Sequence, residues 1–217
     1  MTPEDVQAIV RVYSDRYARF GVSPETLGWG RKDRRRLRFE LLCSLWDLDS
    51  TSVLDFGCGF GDLCGFLMET RTDVRYLGVD INPELIEAAR RLQPSGRFQV
   101  KNLIDETAQP QVDFVLASGV FNDRIGDNWT FIERAFEAFN RVARSGFAAN
   151  FLSAKVDYRY PDAYYAEPAD VLNLCYRYSR NVVLRNDCMP FEFTVFVNKA
   201  ARVDPDLAIF EGCPKRL

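Results

Sequence analysis

The 217-residue chain contains no histidine. Imidazole is the commonest general base near neutral pH, so a proton-accepting step here has to use a carboxylate, a tyrosine or a perturbed lysine. Ser-His and Cys-His nucleophile pairs are excluded outright. The six cysteines (Cys43, Cys58, Cys64, Cys175, Cys188, Cys213) include no CxxC pair, and without histidine no mixed zinc site can form. They read as reduced, mostly buried thiols, and no metal is expected. Long apolar runs are missing as well. The N-terminal "MTPEDVQAIVRVYSDRYARF" is charged throughout and has neither the apolar centre of a signal peptide nor a membrane span. A soluble, cytoplasmic protein with no membrane partner is expected.

Charge of one sign is also lacking. With 28 basic against 31 acidic residues the net charge is −3, which gives no overall field to hold a polyanion. No nucleic-acid partner is therefore expected. One local exception, "RKDRRRLR" at 31–38, is either a solvated helix face or an anion-facing cluster. No stretch rich in Pro, Gly and Ser separates two halves, and 47% hydrophobic residues supply an ample core, so residues 1–217 are read as one domain.

What is present is alternation. "SVLDFG" at 52–57 is a short apolar strand, followed by a Gly-rich loop and then "DLCGFLMET", where Leu63, Phe66 and Leu67 recur at helical spacing. "YLGVD" at 76–80 precedes "NPELIEAARRL", where Asn82 is a good N-cap and Pro83 sits at the tolerant first position. Further strands are expected at "RFQVKN", "VDFVLASG" and "GFAANFLS", with helices at "NWTFIERAFEAFNRVA" and "PADVLNLCYRY". Strands separated by helices make parallel crossovers, hence a doubly wound α/β sheet. The ending breaks that rhythm. Between "NVVLR" and "FEFTVFV" there is no room for a crossover helix, so these two strands must be antiparallel neighbours. Two helical segments, 3–20 and 31–48, come before the first strand; residues 1–48 are expected to form a helical lid over the ligand-binding edge of a core at 49–217.

Gly57, Gly59 and Gly61 stand between that first strand and its helix, where glycines permit a tight turn and a close ligand approach. Their GxGxG spacing differs from the GxGxxG of dinucleotide enzymes and disfavours an NAD-dependent dehydrogenase. Asp55 lies in the buried strand end and needs a cationic or N–H partner. Asp80 ends the second strand 19 residues after Gly61, where a carboxylate can accept both hydroxyls of a ribose.

"VLDFGCGFGD" followed by "YLGVDINPELIEAAR" resembles the first two motifs of class I S-adenosylmethionine-dependent methyltransferases, closely over residues 52 to 122 and in outline beyond. The resemblance implies a Rossmann-like seven-stranded sheet with an antiparallel last strand, and S-adenosyl-L-methionine as cofactor. It places Asp55, Gly57, Cys58, Gly59 and Gly61 by the methionine part, Asp80 at the ribose and Ile81 beside the adenine. Asn102 and Leu103, after the third strand, would meet the adenine amine; Asn102 can equally be a plain strand-end amide. Ser118 would join this cofactor wall.

Methyl transfer is an in-line displacement in which the cofactor supplies the reactivity and the protein supplies orientation and desolvation, so no strong catalytic signature is expected. The turn "SGVF" at 118–121 lacks the Asp/Asn-Pro-Pro-aromatic pattern shared by enzymes that methylate nucleobase amines, which argues against a base methylase but leaves other macromolecular acceptors open; a lid too small for a large polymer and the lack of a basic stripe favour a small-molecule acceptor. Phe121, Asn122, Arg124, Asn150 and Ser153 are candidate pocket residues at strand ends. Asn150 is either a ligand contact or a locally bonded amide, and Arg124 pairs either a substrate anion or a neighbour. Four tyrosines lie in 158–165, so Tyr158 is a candidate base or pocket wall, or else part of loop packing. In the lid Tyr13, Tyr17, Trp29 and Arg38 are candidates to close over the sulfonium and the cofactor carboxylate, with core packing a competitor for Trp29. Two other readings stay open: a non-methyl displacement from the same cofactor, such as aminocarboxypropyl transfer or cyclisation, and a non-catalytic cofactor-binding partner.

Overall fold

The computed structural model describes residues 2–28, 32–105, 111–206 and 208–211. It opens with two helices, α1 (Pro3–Phe20) and α2 (Lys32–Leu42). α1 begins where Thr2 and Asp5 bond each other's backbone in a capping box with Pro3 just inside, satisfying two otherwise orphan amides. α2 ends six residues earlier than the 31–48 segment suggested, with the chain turning before the sheet.

β1 (Ser52–Phe56), α3 (Asp62–Thr70), β2 (Arg75–Asp80), α4 (Pro83–Leu92) and β3 (Arg97–Val100) follow. Then come β4 (Val112–Ala117), α5 (Asn128–Val142), β5 (Ala143–Leu152), α6 (Pro168–Cys175), β6 (Asn181–Arg185) and β7 (Glu192–Asn198). Seven strands form one sheet in the order β3-β2-β1-β4-β5-β7-β6. The expected Rossmann-like α/β architecture is therefore present. β7 is antiparallel to both β5 and β6 because it slots between them, leaving β6 at the edge. β5 starts directly at the end of α5, three residues before "GFAANFLS". A short hairpin of β8 (Val203–Asp204) and β9 (Ile209–Phe210) was not foreseen, since two-residue strands show no periodicity.

Helices cover both sheet faces. α5 turns Phe131, Ile132, Ala135, Phe136, Phe139 and Val142 inward, and these pack with Phe121, Phe147, Phe151 and Phe193 into the larger core cluster. Phe121 stacks on Phe151, and Phe151 on Phe193, at centroid separations of 4.9 and 5.3 Å. Offset aromatic contacts of this kind add about 0.5–1.5 kcal/mol each beyond the area buried. On the other face α3 and α4 meet Phe39, Leu42 and Cys43 over Val53, Leu116 and Phe196. That second cluster anchors the end of α2 to the sheet, which carries the arginines of its first turns towards the C-terminal strand ends.

Candidate active site

Phe56 stands level with Val79 on β2 and with Ala117 on β4, so Gly57, Asp80 and Ser118 leave the sheet side by side. Strand order reverses between β1 and β4, and open α/β sheets bind ligands at such a crevice. A cavity of about 1040 Å³ opens there. Ligand sites ordinarily run to roughly 300–1,000 Å³, so it has room for a cofactor and a second small molecule.

Its floor is the glycine loop. Gly57, Gly59 and Gly61 all have positive φ (73°, 52° and 77°), which side-chain-bearing residues avoid. Neighbouring side chains also crowd them, a reason for glycine besides the tight turn and the ligand approach that the sequence suggested. A Cβ on Gly57 would stand 2.5 Å from Val120 Cγ2, and one on Gly61 would stand 2.8 Å from Phe98 Cζ. Gly61 thus serves helix packing and does not line the cavity; Gly57, Cys58 and Gly59 do. Over Gly59 sits Leu27, from the connection after α1.

Asp80 accepts the Gly59 amide at 3.0 Å through one carboxylate oxygen and the Asn82 amide at 2.9 Å through the other. These amides hold the carboxylate in place with acceptor capacity left for a ligand. Burial raises its pKa, and the backbone amides of Asn82, Gly59 and Ile81 oppose the shift. Asp55 lies behind the loop, 2% exposed, and accepts the Tyr76 hydroxyl at 2.6 Å. The sequence reading asked for a cationic or N–H partner and missed this phenol two residues along the neighbouring strand's inward face. One neutral donor does not offset burial. The Asp55 pKa is pushed up to about 7 by desolvation, with Asp80 and Asp62 adding to the shift and the Tyr76 bond opposing it.

Ile81, Asn102 and Ser118 also line the cavity, whereas Leu103 is fully buried in the core. The Asn102 carbonyl, expected to meet an adenine amine, accepts the Ile104 amide at 3.2 Å while its amide group bonds Asp105. Asn150 proves to be a locally bonded amide: its oxygen accepts the Gly119 amide at 2.7 Å and its nitrogen donates to Ser118 Oγ at 3.2 Å. It fixes the turn after β4 without facing the cavity. Arg124 is likewise structural, donating to the carbonyls of Pro161 and Ala163. Phe121 and Ser153 are buried off the wall, while Asn122, whose oxygen accepts the Leu152 amide, remains on it. Tyr158, Tyr160 and Tyr165 border the opening, and Tyr164 packs against the core.

Arg38 lines the cavity but is not left to meet a cofactor carboxylate. Its Nε bonds both oxygens of Glu192 at 2.9 and 2.7 Å and its Nη2 adds a third contact, the two side chains being 12% and 3% exposed. Glu192 begins β7 and lies far off in sequence, so no local signal marked it. Trp29 lies outside the described residues. Tyr17 packs on Phe60 and accepts from Arg91, away from the wall, whereas Tyr13 faces the cavity.

A family model described as a methyltransferase domain matches residues 54–146. A Mycobacterium tuberculosis protein, Rv1506c, a methyltransferase by name, is 34% identical over 160 residues, covering 70% of this chain and 96% of its own. The chain belongs to the class I S-adenosylmethionine-dependent methyltransferases. This methyltransferase shares its fold with the magnesium protoporphyrin IX methyltransferase of Synechocystis PCC 6803 solved with S-adenosylmethionine. The TM-score is 0.64 at 14% identity, over 92% of this chain and 99% of that one. Trans-aconitate 2-methyltransferase of Rhodopseudomonas palustris is 30% identical over 89 residues, 41% of this chain and 35% of that enzyme. The match thus spans about a third of that relative's length.

The wall of the methyltransferase suits its cofactor chemically. Asp80 presents two acceptor oxygens already held in place by backbone amides, as a ribose diol requires. Asp55, Asp62 and Asp80 line one cavity around the glycine loop; Asp62 is paired with Arg35 at 2.7 Å, while Asp55, which feels both of the other carboxylates, has no cationic partner among the described residues and suits a cationic ligand.

Proposed function

We propose that this enzyme methylates a small, non-polymeric acceptor held beside S-adenosylmethionine in the single cavity at the sheet's C-terminal edge. The observation that carries the reading is the cavity's extent. It runs from Asp80 on β2 past the glycine loop to Leu152 and Glu192 at the β5 and β7 ends, with α1 and α2 residues in its wall. A cofactor anchored at Asp80 and the glycine loop leaves the β5–β7 end for an acceptor. Bound there, the cofactor supplies an electrophilic methyl group on a sulfonium.

The residues of the chain hold and exclude. Asp80 binds the ribose hydroxyls, Asp55 faces the methionine amino group, and Ile81 covers the adenine. Residues 1–48 act as a lid that keeps water from the reacting atoms. Phe191, Tyr158 and Tyr165 wall the acceptor end. One relative acts on a small molecule by name, trans-aconitate, which supports the acceptor class. No described helix is long and apolar enough to cross a membrane, and the near-balanced charge supports a cytoplasmic enzyme that does not track nucleic acid.

The test is twofold. Calorimetry should give micromolar binding of S-adenosylmethionine, and labelled methyl transfer should go to metabolite extracts and not to bulk DNA or RNA. Labelled nucleic acid, or methylthioadenosine as the product, would overturn the reading.

Asp55 adds a pH dependence. Its pKa of about 7 in the free protein falls when an ammonium group sits beside it, so binding releases a proton below that pH. Affinity for S-adenosylmethionine should be roughly tenfold weaker at about pH 5.5 than at about pH 7.5, the upper pH staying below the range near 8 where a free α-amino group titrates. Asp55→Asn should flatten the profile. An unchanged slope in that variant would place the titrating group elsewhere.

A further inference from the structure

The first helix is tied down at two places on opposite sides of the cavity. On one side Asn82 donates its side-chain amide to Val10 O and to Ser14 Oγ, both at 3.2 Å. On the other, between those two contacts along the helix, Tyr13 Oη donates to Asp123 Oδ2 at 2.6 Å. A weaker contact at the N-terminal end of α1, the Gly126 amide to Asp5 Oδ1 at 3.3 Å, falls on the same side as Asp123.

Each anchor is itself rigid. Asn82 is 2% exposed, caps α4 by accepting the amides of Glu84 and Leu85, and donates its own backbone amide to Asp80. Asp123 is fixed by its backbone: it pairs with Ala163, and its carbonyl accepts Asn128 Nδ2 at 2.8 Å. Tyr13 therefore closes a bridge from the ribose-side strand end to the loop after β4. Tyr13, Asn82 and Asp123 all line the cavity that this bridge spans. Burial and the Asp123 carboxylate raise the Tyr13 pKa well above its ordinary value, so the phenol keeps its proton and remains the donor.

We propose that the Tyr13–Asp123 hydrogen bond is a latch that holds α1 across the mouth and sets how long the cofactor or its product stays bound. This rests on the reading of the cavity as a cofactor site. Tyr13 and Asp123 are positioning residues in it, acting through the placement of α1. Asn82 is the hinge side of the same device, because it is bonded at once to α1, to the start of α4 and to Asp80. A hydroxyl bonded to a carboxylate at this distance is of the charge-assisted kind, strong enough that its loss should speed release by about tenfold.

The experiment is stopped-flow measurement of S-adenosylhomocysteine association and dissociation on the full chain. Tyr13→Phe keeps the ring and removes only the donor; Asp123→Asn keeps the shape and removes the charge. Both should raise the dissociation rate about tenfold with little change in association, and the double variant should be no faster than either single one, as for two halves of one contact. Ser14→Ala, which trims the hinge side and leaves the Val10 carbonyl bonded, should raise dissociation less. Thermal melts of every variant keep a folding defect apart from a latch defect. Unchanged dissociation in Tyr13→Phe overturns the latch, as do effects that multiply in the double variant or a loss of affinity that falls on association. If wild type does not bind S-adenosylhomocysteine at all, the reading of the site fails instead.

Discussion

Glu192→Ala should lower the melting temperature by roughly 10 °C. Arg38 and Glu192 are 12% and 3% exposed, and three contacts join them across the junction of α2 with the start of β7. Removing the carboxylate takes three contacts and a facing charge away from a guanidinium that is 12% exposed, and loss of one partner of a buried ion pair typically costs about 3–5 kcal/mol. At about 2–4 °C per kcal/mol for a chain of this size, that is a shift of order 10 °C. The pair itself contributes less than its loss costs, because both ions were desolvated to form it. Arg38→Met combined with Glu192→Leu should therefore recover much of the stability lost in the single variant. A Glu192→Ala melt within a few degrees of wild type would show that water or another protein group takes over the guanidinium. Because the pair also lines the cavity at its β5–β7 end, acceptor turnover in the repaired double variant would report whether the charges have a second role in binding.

Asp80→Ala should weaken S-adenosylmethionine binding by about 2 kcal/mol or more, roughly 30-fold, by calorimetry. Two losses add. The ribose hydroxyls lose their charged acceptor, and the amides of Gly59 and Asn82 lose the oxygens that hold the glycine loop and the α4 cap in register. Asp80→Asn separates them. An amide keeps one acceptor but turns a donor towards a backbone N–H, so the loop is strained while the side-chain volume stays the same. The Asn variant should therefore bind better than Ala only if the acceptor towards the ribose matters more than the loop. Equal affinity of wild type and Asp80→Ala would remove Asp80 from the cofactor site.

Much of this architecture was legible in the chain. The strand at 52–56, the helix after the glycines, Asn82 with Pro83 and the closing hairpin are local patterns, because the hydrogen bonds and apolar spacing that make them lie within a few residues. So too was the edge of the sheet at which a ligand would sit, since the candidates from the sheet itself end a strand or follow one, and only Tyr13 and Arg38 of the rest come to it from the helices before β1. The candidate site was legible only in part. Asp55, Gly57, Asp80 and Ser118 come together as the motif suggested, while Gly61, Leu103, Asn150 and Arg124 turn away from the cavity.

Sequence by itself determined the strand-helix order, the absence of imidazole chemistry and the motif that marks the family. Tertiary structure alone decided which polar side chains are spent on the protein. Asn150 and Arg124 sit at the right strand ends, yet backbone groups of neighbouring loops claim them first. Arg38 and Glu192 are 154 positions apart, and Tyr13 and Asp123 are 110 apart. Such pairs leave no periodic trace, because a buried charge or phenol takes whichever partner the folded sheet brings within about 3 Å, and that distance is set by packing.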